Sequence, residues 1–173
     1  MRRAFLYLCL SVFAIISMAG TADAGPKGDT IVDVVIQANS SGPYAGLFDT
    51  LIAALQAADP SVLETLSGNG QHTVFGPTDD AFSNLGLDAG NIGTVPQSTL
   101  TDILLYHVTN GRRYASDVTT SSQIRTLYRE FIKVSGAQLT DTQGRTANII
   151  VTDVEAANGV IHVIDEVVLP FAI

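Results

Sequence analysis

The sequence predicts an α+β domain, because helical patterning in the first half of the chain gives way to strand patterning in its last third. Between residues 30 and 106, apolar side chains recur at the three- and four-residue spacing of amphipathic helices. From residue 129 onward, short runs rich in β-branched residues are bounded by Gly, Asn and Asp, which is typical of strands and hairpins. Helices followed by antiparallel hairpins indicate an α+β fold.

Residues 1–24 are expected to be a signal peptide that is removed on export. Arg2 and Arg3 precede an apolar run at residues 4–18, and Ala22 and Ala24 are the small residues of a peptidase site. The paired arginines leave a twin-arginine route open beside ordinary secretion. Because the apolar run is shorter than the about 20 residues of a membrane span, no membrane insertion is expected once it is removed.

Cleavage after Ala24, or alternatively after Ala19, leaves residues 25–173 as an acidic domain of about 150 residues, which is long enough for one hydrophobic core. The full chain has a net charge of −8, and the loss of two arginines and one aspartate makes it −9. Such a charge disfavours nucleic acid and anionic membrane surfaces as partners. The only cysteine, Cys9, lies in the signal peptide, so the exported domain is expected to fold without disulfides.

Three helices are predicted before the first strand. Each is marked by a capping residue or a helix-breaking turn, followed by an apolar stripe. The first starts at Asp29 or Thr30 and buries Ile31, Val34 and Val35; the second follows the break at residues 41–43 and buries Leu47, Leu51 and Leu55; the third starts at Asp59 and Pro60 and buries Val62, Leu63 and Leu66.

A short strand, one helical turn and a longer helix are predicted next. Residues 72–76 form the strand, and Thr78 then caps a turn whose Asp79 and Asp80 lie near the positive end of the helix dipole. The Gly- and Asn-rich residues 86–95 are expected to be a loop. A helix from about Ser98 runs to Tyr106 and His107.

Strands are predicted in the last third at residues 129–134, 147–152 and 160–169. Asn158 and Gly159 are expected to occupy the central positions of a type I′ turn, where both residues need positive φ. His162 shares a face of the last strand with Val160 and Ile164, so it is expected to be a buried or half-buried ring with a hydrogen-bond partner.

The three histidines give little support for metal or catalytic chemistry. His72, His107 and His162 are not at the i, i+4 spacing of a helical zinc pair, and the mature chain has no cysteine. No G-x-S-x-G elbow is present. Asp79 and Asp80 are adjacent and so point in different directions on a helix, which disfavours a catalytic carboxylate pair; acids at a helix N-terminus commonly stabilise its dipole. The protein is therefore expected not to be an enzyme and to need no metal or cofactor. His107, in an apolar run, is expected to be neutral, buried and bonded through one ring nitrogen.

Three segments of the mature chain carry motifs that can be compared with known families. They are T-V-F-G-P-T-D-D-A-F at residues 73–82, L-L-Y-H-V at residues 104–108, and N-G-V-I-H-V-I-D through L-P at residues 158–170. In this order and at these spacings they resemble the fasciclin (FAS1) domain family, and with the helical lead-in they cover nearly the whole mature chain. The resemblance implies a wedge in which a bent β-sandwich is covered by a layer of helices.

The resemblance also implies a non-enzymatic module, secreted or in the cell envelope, that adheres to extracellular matrix, a surface protein or polysaccharide. In animal matrix members of the family, an Asp-Ile pair at the position of Asp153 and Val154 is tied to integrin binding. The tyrosine–histidine motif, here Tyr106 and His107, has also been proposed as an adhesive site. We expect a monomer or weak self-association, with Asp153 exposed and contributing little to stability. Two alternatives stay open: a non-catalytic accessory or assembly factor of the cell envelope, and a merely solvated acid at position 153.

Overall fold

The computed structural model describes residues 27–172, so the predicted signal peptide at residues 1–24 lies outside the described residues. The helices are α1 Ile31–Ser40, α2 Asp49–Ala57, α3 Pro60–Ser67, α4 Asp79–Ser83, α5 Gln97–Tyr106 and α6 Ala115–Thr120, with a 3₁₀ turn at Ile92–Thr94. The strands are β1 His72–Pro77, β2 Val108–Asn110, β3 Gln123–Arg125, β4 Phe131–Ser135, β5 Gln138–Thr140, β6 Thr146–Ala156 and β7 Gly159–Ile164. None of the helices in this range is long and apolar enough to cross a membrane.

Helices α1 and α3 begin at the caps that the sequence predicts. The Thr30 hydroxyl accepts a hydrogen bond from the Asp33 N–H at 3.3 Å, and the Asp33 carboxylate accepts one from the Thr30 N–H at 2.9 Å, which completes a capping box. Asp59 accepts a hydrogen bond from the Ser61 N–H at 2.9 Å, and Pro60 is the first residue of α3. The local sequence therefore determines where α1 and α3 begin.

Helix α2 is capped from another part of the chain. Phe48 holds its N-cap position and offers no side-chain acceptor. The Asp79 carboxylate accepts hydrogen bonds from the N–H groups of Asp49 at 3.2 Å and Thr50 at 2.8 Å. Thr78 caps α4 itself, as predicted. Asp79 thus stabilises the start of α2 in addition to lying in the first turn of its own helix.

The strands form one mixed seven-stranded sheet in the order β2-β1-β7-β6-β5-β4-β3. Strands β1 and β7 are parallel, whereas the other neighbouring pairs are antiparallel. An isolated antiparallel bridge joins Thr109 of β2 to Thr126, just after β3, and so brings the two edge strands together. The α+β class is confirmed, with a nearly closed, barrel-like sheet; its division into a two-layer sandwich stays a prediction.

Two hydrophobic clusters hold the helices and the sheet together. The larger draws on helices α1 to α5 and on strands β1, β2, β6 and β7. The smaller lies inside the curve of the sheet and contains Phe75, Tyr106, Ile124, Ile132 and Leu139, each at most 1% exposed. Burying one side chain of this size stabilises a fold by about 1.5–3 kcal/mol, so both clusters are needed to hold a domain without disulfides.

Strand β7 ends at Ile164, so the predicted strand to residue 169 is too long. Residues 167–169 are nevertheless at most 2% exposed. Polar side chains satisfy the buried backbone there, which removes the need for a neighbouring strand. The three bonds run from the Val168 N–H to His107 Nε2 at 3.3 Å, from the Leu169 N–H to Asp141 Oδ2 at 2.9 Å, and from Arg145 Nη2 to the Val167 carbonyl at 2.6 Å.

The β6–β7 hairpin is present, but the predicted type I′ turn is wrong. The pairing leaves Ala157 and Asn158 as the loop, and neither Asn158 nor Gly159 has positive φ. Glycine is needed at 159 for a different reason. A Cβ atom there would collide with the carbonyl oxygen of His72 and lie 2.6 Å from Ile31 Cδ1, so the glycine allows β1 and α1 to approach β7.

The Asn158 side chain is fully buried and ties the hairpin turn to two helices. Its Oδ1 accepts a hydrogen bond from the Ile31 N–H at 2.8 Å, at the start of α1. Its Nδ2 donates to the carbonyls of Leu66 at 2.7 Å and Gly68 at 2.9 Å, at the end of α3. The Asn-Gly pair therefore fixes the position of the hairpin by packing and hydrogen bonding.

Candidate functional site

The candidate residue Asp153 lies on β6 where the strand is irregular. Register shifts between Ile149 and Val151 and between Val151 and Val154 mark bulges in the pairing of β6 with β7. Asp153 has a φ of 59°, in the left-handed region that residues other than glycine seldom adopt. Its side chain is exposed. Because bulges re-aim side chains, the irregularity explains how this acid reaches the surface.

Asp153 is also held by two internal hydrogen bonds. Its N–H donates to His162 Nδ1 at 3.3 Å, and its Oδ1 accepts from the N–H of Ala115, the first residue of α6, at 2.7 Å. The expectation that Asp153 contributes little to stability does not fit this geometry, since its carboxylate holds the start of a helix. The Asp153 side chain is therefore both exposed to solvent and held in one orientation.

Val154 does not share the exposure of its neighbour. It is half-buried, pairs with Ile161 of β7, and packs against the larger core beside Val34 and Ala38 of α1. Pairing with β7 resumes at Val154 after the bulge, and its side chain is turned toward the core. The predicted Asp-Val pair therefore presents only its acid to a partner.

Two further side chains lie beside Asp153 at the surface. Tyr114, just before α6, is 36% exposed, and its hydroxyl donates to Glu155 Oε1 at 3.2 Å. Glu155 is exposed as well. We call Tyr114, Asp153 and Glu155 the hairpin edge. Two carboxylates and a phenol offer strong acceptors and an aromatic face, which suit ammonium, guanidinium or hydroxyl groups of a partner.

His162 lies beneath the hairpin edge and is fully buried, as predicted. Its ring stacks on Phe75 with the centroids 5.7 Å apart. Nε2 lies 2.8 Å from the Arg113 carbonyl, which can only accept, so Nε2 carries the proton and Nδ1 is free to accept the Asp153 N–H. The imidazole of His162 thus connects the bulge of β6 with the segment that precedes α6.

Tyr106 and His107 lie in the interior and not on the surface. Tyr106 is fully buried, its hydroxyl donates to the Phe131 carbonyl at 3.1 Å, and burial raises the pKa of this phenol to about 12. His107 is 3% exposed, and burial lowers the pKa of its ring to about 4, so the ring is neutral as expected. Neither side chain reaches a partner of the folded domain, so a direct adhesive contact by this motif does not fit the structure.

The prediction that His107 bonds through one ring nitrogen is wrong, because both nitrogens are used. Nδ1 donates to the Ile103 carbonyl at 2.8 Å, one helical turn earlier. Nε2 accepts the Val168 N–H at 3.3 Å. His107 therefore joins the end of α5 to the C-terminal segment, a structural role that its apolar sequence context did not show.

A second surface feature was missed from the sequence. An open cleft of about 650 Å³ lies between β2 and the segment that follows β3. We call it the arginine cleft; its lining residues are Thr109, Asn110, Arg113, Arg125, Thr126, Leu127 and Arg129. One sequence signal could have found it, because five of the seven basic residues between positions 27 and 172 lie between positions 112 and 133.

Between Lys27 and Ala172, no group of three or more His, Cys, Asp or Glu side chains is placed to hold a metal ion. His72, His107 and His162 sit in separate surroundings. Burial lowers the pKa of His72, whose Nδ1 has no hydrogen-bond partner within that same range. The absence of a metal or cofactor stays a prediction.

Comparison with known proteins agrees with this geometry. Residues 46–170 match the model of the fasciclin domain. The chain is 39% identical over 163 residues to protein sll1483 of Synechocystis sp., covering 91% of this chain and 80% of that protein. It is 30% identical over 138 residues to the cell surface glycolipoprotein MPB83 of Mycobacterium bovis, covering 80% of this chain and 61% of that protein.

A solved structure shares the fold. It is a FAS1 domain pair from the insect cell adhesion molecule fasciclin I, with a TM-score of 0.60 and 18% sequence identity. The match covers 82% of this chain and 51% of that chain. Because the family model spans most of the sequence and the fold agrees with it, the chain belongs to the fasciclin family.

Proposed function

We propose that the protein is a secreted or cell-envelope binding module, a single domain at residues 25–173, that adheres to a surface protein, a matrix protein or polysaccharide. The observation that carries this proposal is the preorganised acid at the hairpin edge. Asp153 is exposed, yet its backbone bonds to His162 and its carboxylate to the start of α6. A group already held in one geometry loses little entropy when a partner binds it.

The names of the relatives support this class of function. MPB83 is named as a cell surface glycolipoprotein, and the structural relative as a cell adhesion molecule. Neither name denotes an enzyme, and we propose a non-catalytic role that needs no cofactor. We expect the domain to act as a monomer or a weakly self-associating protein, without binding nucleic acid or inserting into a membrane.

Affinity capture with Asp153→Asn tests the proposal. Asparagine tolerates the left-handed conformation and keeps an oxygen that can accept the Ala115 N–H, so this variant removes the charge with little change in the fold. Glu64→Gln is the matched control, since it removes one carboxylate from the exposed face of α3. Immobilised wild-type and variant domains would be exposed to envelope extract and culture medium from the source organism, and retained material quantified.

Loss of captured material with Asp153→Asn, together with full capture by Glu64→Gln and melting temperatures close to that of wild type, is the expected result. Equal capture by wild type and Asp153→Asn would overturn the assignment of binding to the hairpin edge. Capture of one stoichiometric envelope enzyme in place of a surface component would favour an accessory factor of the cell envelope.

A further inference from the structure

Three arginines of this acidic protein share one cleft without internal partners. Within the described part of the chain, Arg113, Arg125 and Arg129 make no ion pair and no side-chain hydrogen bond. The other two arginines of that range are used internally. Arg112 donates to the carbonyls of Ala156 and Ala157, and Arg145 pairs with Asp141 at 3.1 Å and donates to Val167.

The cleft contains no carboxylate that would neutralise these charges, since all its lining residues are basic, polar or apolar. Arg113 Nε is buried without a hydrogen-bond partner among residues 27–172. Buried donors are nearly always satisfied in proteins, and an orphaned one calls for a water, an ion or a ligand group as its partner. Arg113 also lines the cleft, so no acceptor among the described residues neutralises the charge that it places there.

The walls of the cleft are fixed before any ligand arrives. The Thr109 hydroxyl donates to the Arg125 carbonyl at 2.8 Å, and the Leu127 N–H donates to the Val108 carbonyl at 2.7 Å, so β2 is tied to the opposite wall. Arg129 has a φ of 76°, in the left-handed region, and its N–H donates to the Thr126 carbonyl at 3.0 Å. Strained residues of this kind cluster at ligand sites, where the surrounding structure holds them.

We propose that the arginine cleft binds the anionic groups of an acidic polysaccharide, either carboxylates or sulfates. Guanidinium groups bind such oxyanions through two parallel hydrogen bonds. The cleft volume of about 650 Å³ is much larger than one inorganic anion and falls within the roughly 300–1,000 Å³ of small-molecule sites. The exposed Asn110 side chain adds an amide that can bond sugar hydroxyls.

A nucleic acid fits the cleft less well. Single strands are bound by aromatic platforms on which bases stack, and none of the lining residues is aromatic. The net charge of the full chain is −8, and that of the mature domain is −9. This charge also repels a long polyanion, so the ligand is a short stretch of chain that places a few anionic groups against the three arginines. This inference deepens the proposed binding function by naming a ligand class, and it uses a surface other than the hairpin edge.

Isothermal titration calorimetry of the full mature domain with defined oligosaccharides tests whether the arginine cleft binds an acidic polysaccharide. The probes are a galacturonic acid tetrasaccharide, a sulfated tetrasaccharide, a neutral galactose tetrasaccharide and a short single-stranded oligonucleotide. We expect at least one acidic tetrasaccharide to bind tenfold or more tightly than the neutral one, and the two acidic probes to show whether carboxylate or sulfate is preferred. Binding should weaken as salt is raised.

The variants are Arg125→Gln and Arg129→Asn, singly and together, with Lys133→Gln as the charge-matched control. Arg125 and Arg129 are exposed, and asparagine tolerates the left-handed conformation at 129, so these variants should melt as wild type does. Lys133 is an exposed base on β4 that does not line the cleft. The double variant should lose tenfold or more in affinity for the acidic probe, whereas Lys133→Gln should keep it.

Equal binding of acidic and neutral probes would overturn the proposal, as would an equal loss with Lys133→Gln or tighter binding of the oligonucleotide. These probes do not require the natural partner, and they can be tested on Asp153→Asn as well. Failure of the arginine cleft is therefore distinguishable from failure of the hairpin edge.

Discussion

Asp153 combines a binding position with a structural one, and this double use can be measured. Asp153→Ala removes the acceptor for the Ala115 N–H and places alanine at a φ of 59°. We expect the free energy of unfolding to fall by about 1–3 kcal/mol. Chemical denaturation should show a much smaller loss for Asp153→Asn, which keeps an acceptor and tolerates this φ. Wild-type stability in Asp153→Ala would show that the bond to α6 contributes nothing.

His107 predicts how stability depends on pH. Its pKa is about 4 in the folded state, against about 6.5 when unfolded, so the unfolded chain binds more protons between these values. Stability should therefore fall as pH drops from 6.5 to 4, by about 3 kcal/mol from this residue. His107→Gln, which cannot titrate, should lose less over this window. The pKa of His72 is lowered as well, but His72 is present in both wild type and His107→Gln and so does not account for a difference between them. Parallel profiles for the two proteins would contradict this account.

Among the elements, helix α2 depends on a residue thirty positions away. Asp79→Ala leaves two N–H groups at the start of α2 without their acceptor. We expect a loss of about 1–2 kcal/mol in the free energy of unfolding, the usual effect of removing a cap. Asp80→Ala is the control, because the neighbouring acid is exposed and its side chain makes no hydrogen bond to another described residue. Equal losses in both variants would mean that only the α4 dipole is involved.

The packing of β1 against β7 depends on the absence of a side chain at Gly159. In Gly159→Ala the new methyl group would meet the His72 carbonyl oxygen, and backbone cannot move aside as a flexible side chain can. We expect a loss of about 3 kcal/mol or more, at the upper end of overpacking effects. Gly93→Ala should be nearly neutral, because nothing lies within 4 Å of its added carbon. Thermal melts of Gly159→Ala and Gly93→Ala, compared with wild type, test this prediction; equal melting temperatures of the two variants would contradict it.

What the sequence predicts well at this scale is local. Thr30, Asp59 and Thr78 cap helices because each bonds within a few residues of itself, and the apolar stripes that follow have a period of their own. Strands β2, β3 and β5 have three residues each, too few to show a period, and they exist because neighbouring strands pair with them. The prediction of a type I′ turn at Asn158 and Gly159 was wrong because contacts with α1, α3 and β1, which are distant in the chain, determine the conformation there.

For the whole molecule, closure of the sheet determines where the two candidate surfaces lie. The bridge between Thr109 and Thr126 brings β2 to the end of β3 and creates the arginine cleft, although the residues that line it are separated in the chain. Arg113 borders this cleft, and the next residue, Tyr114, belongs to the hairpin edge. His162 bonds to the Arg113 carbonyl and to the Asp153 N–H. The basic and acidic surfaces are thus adjacent and share one buried histidine, which no local pattern could reveal.

The last prediction concerns what holds the whole domain. Two hydrophobic clusters pack its helices against its sheet, and Cys9 lies in the predicted signal peptide. Metal-dependent folds unfold when the ion is removed, because binding energy supplies their folding energy. We therefore expect thermal melts of residues 25–173 to superimpose with and without a chelator, and with and without a reductant. A fall of several degrees on chelation, reversed by adding back one divalent metal, would show that a metal supports the fold.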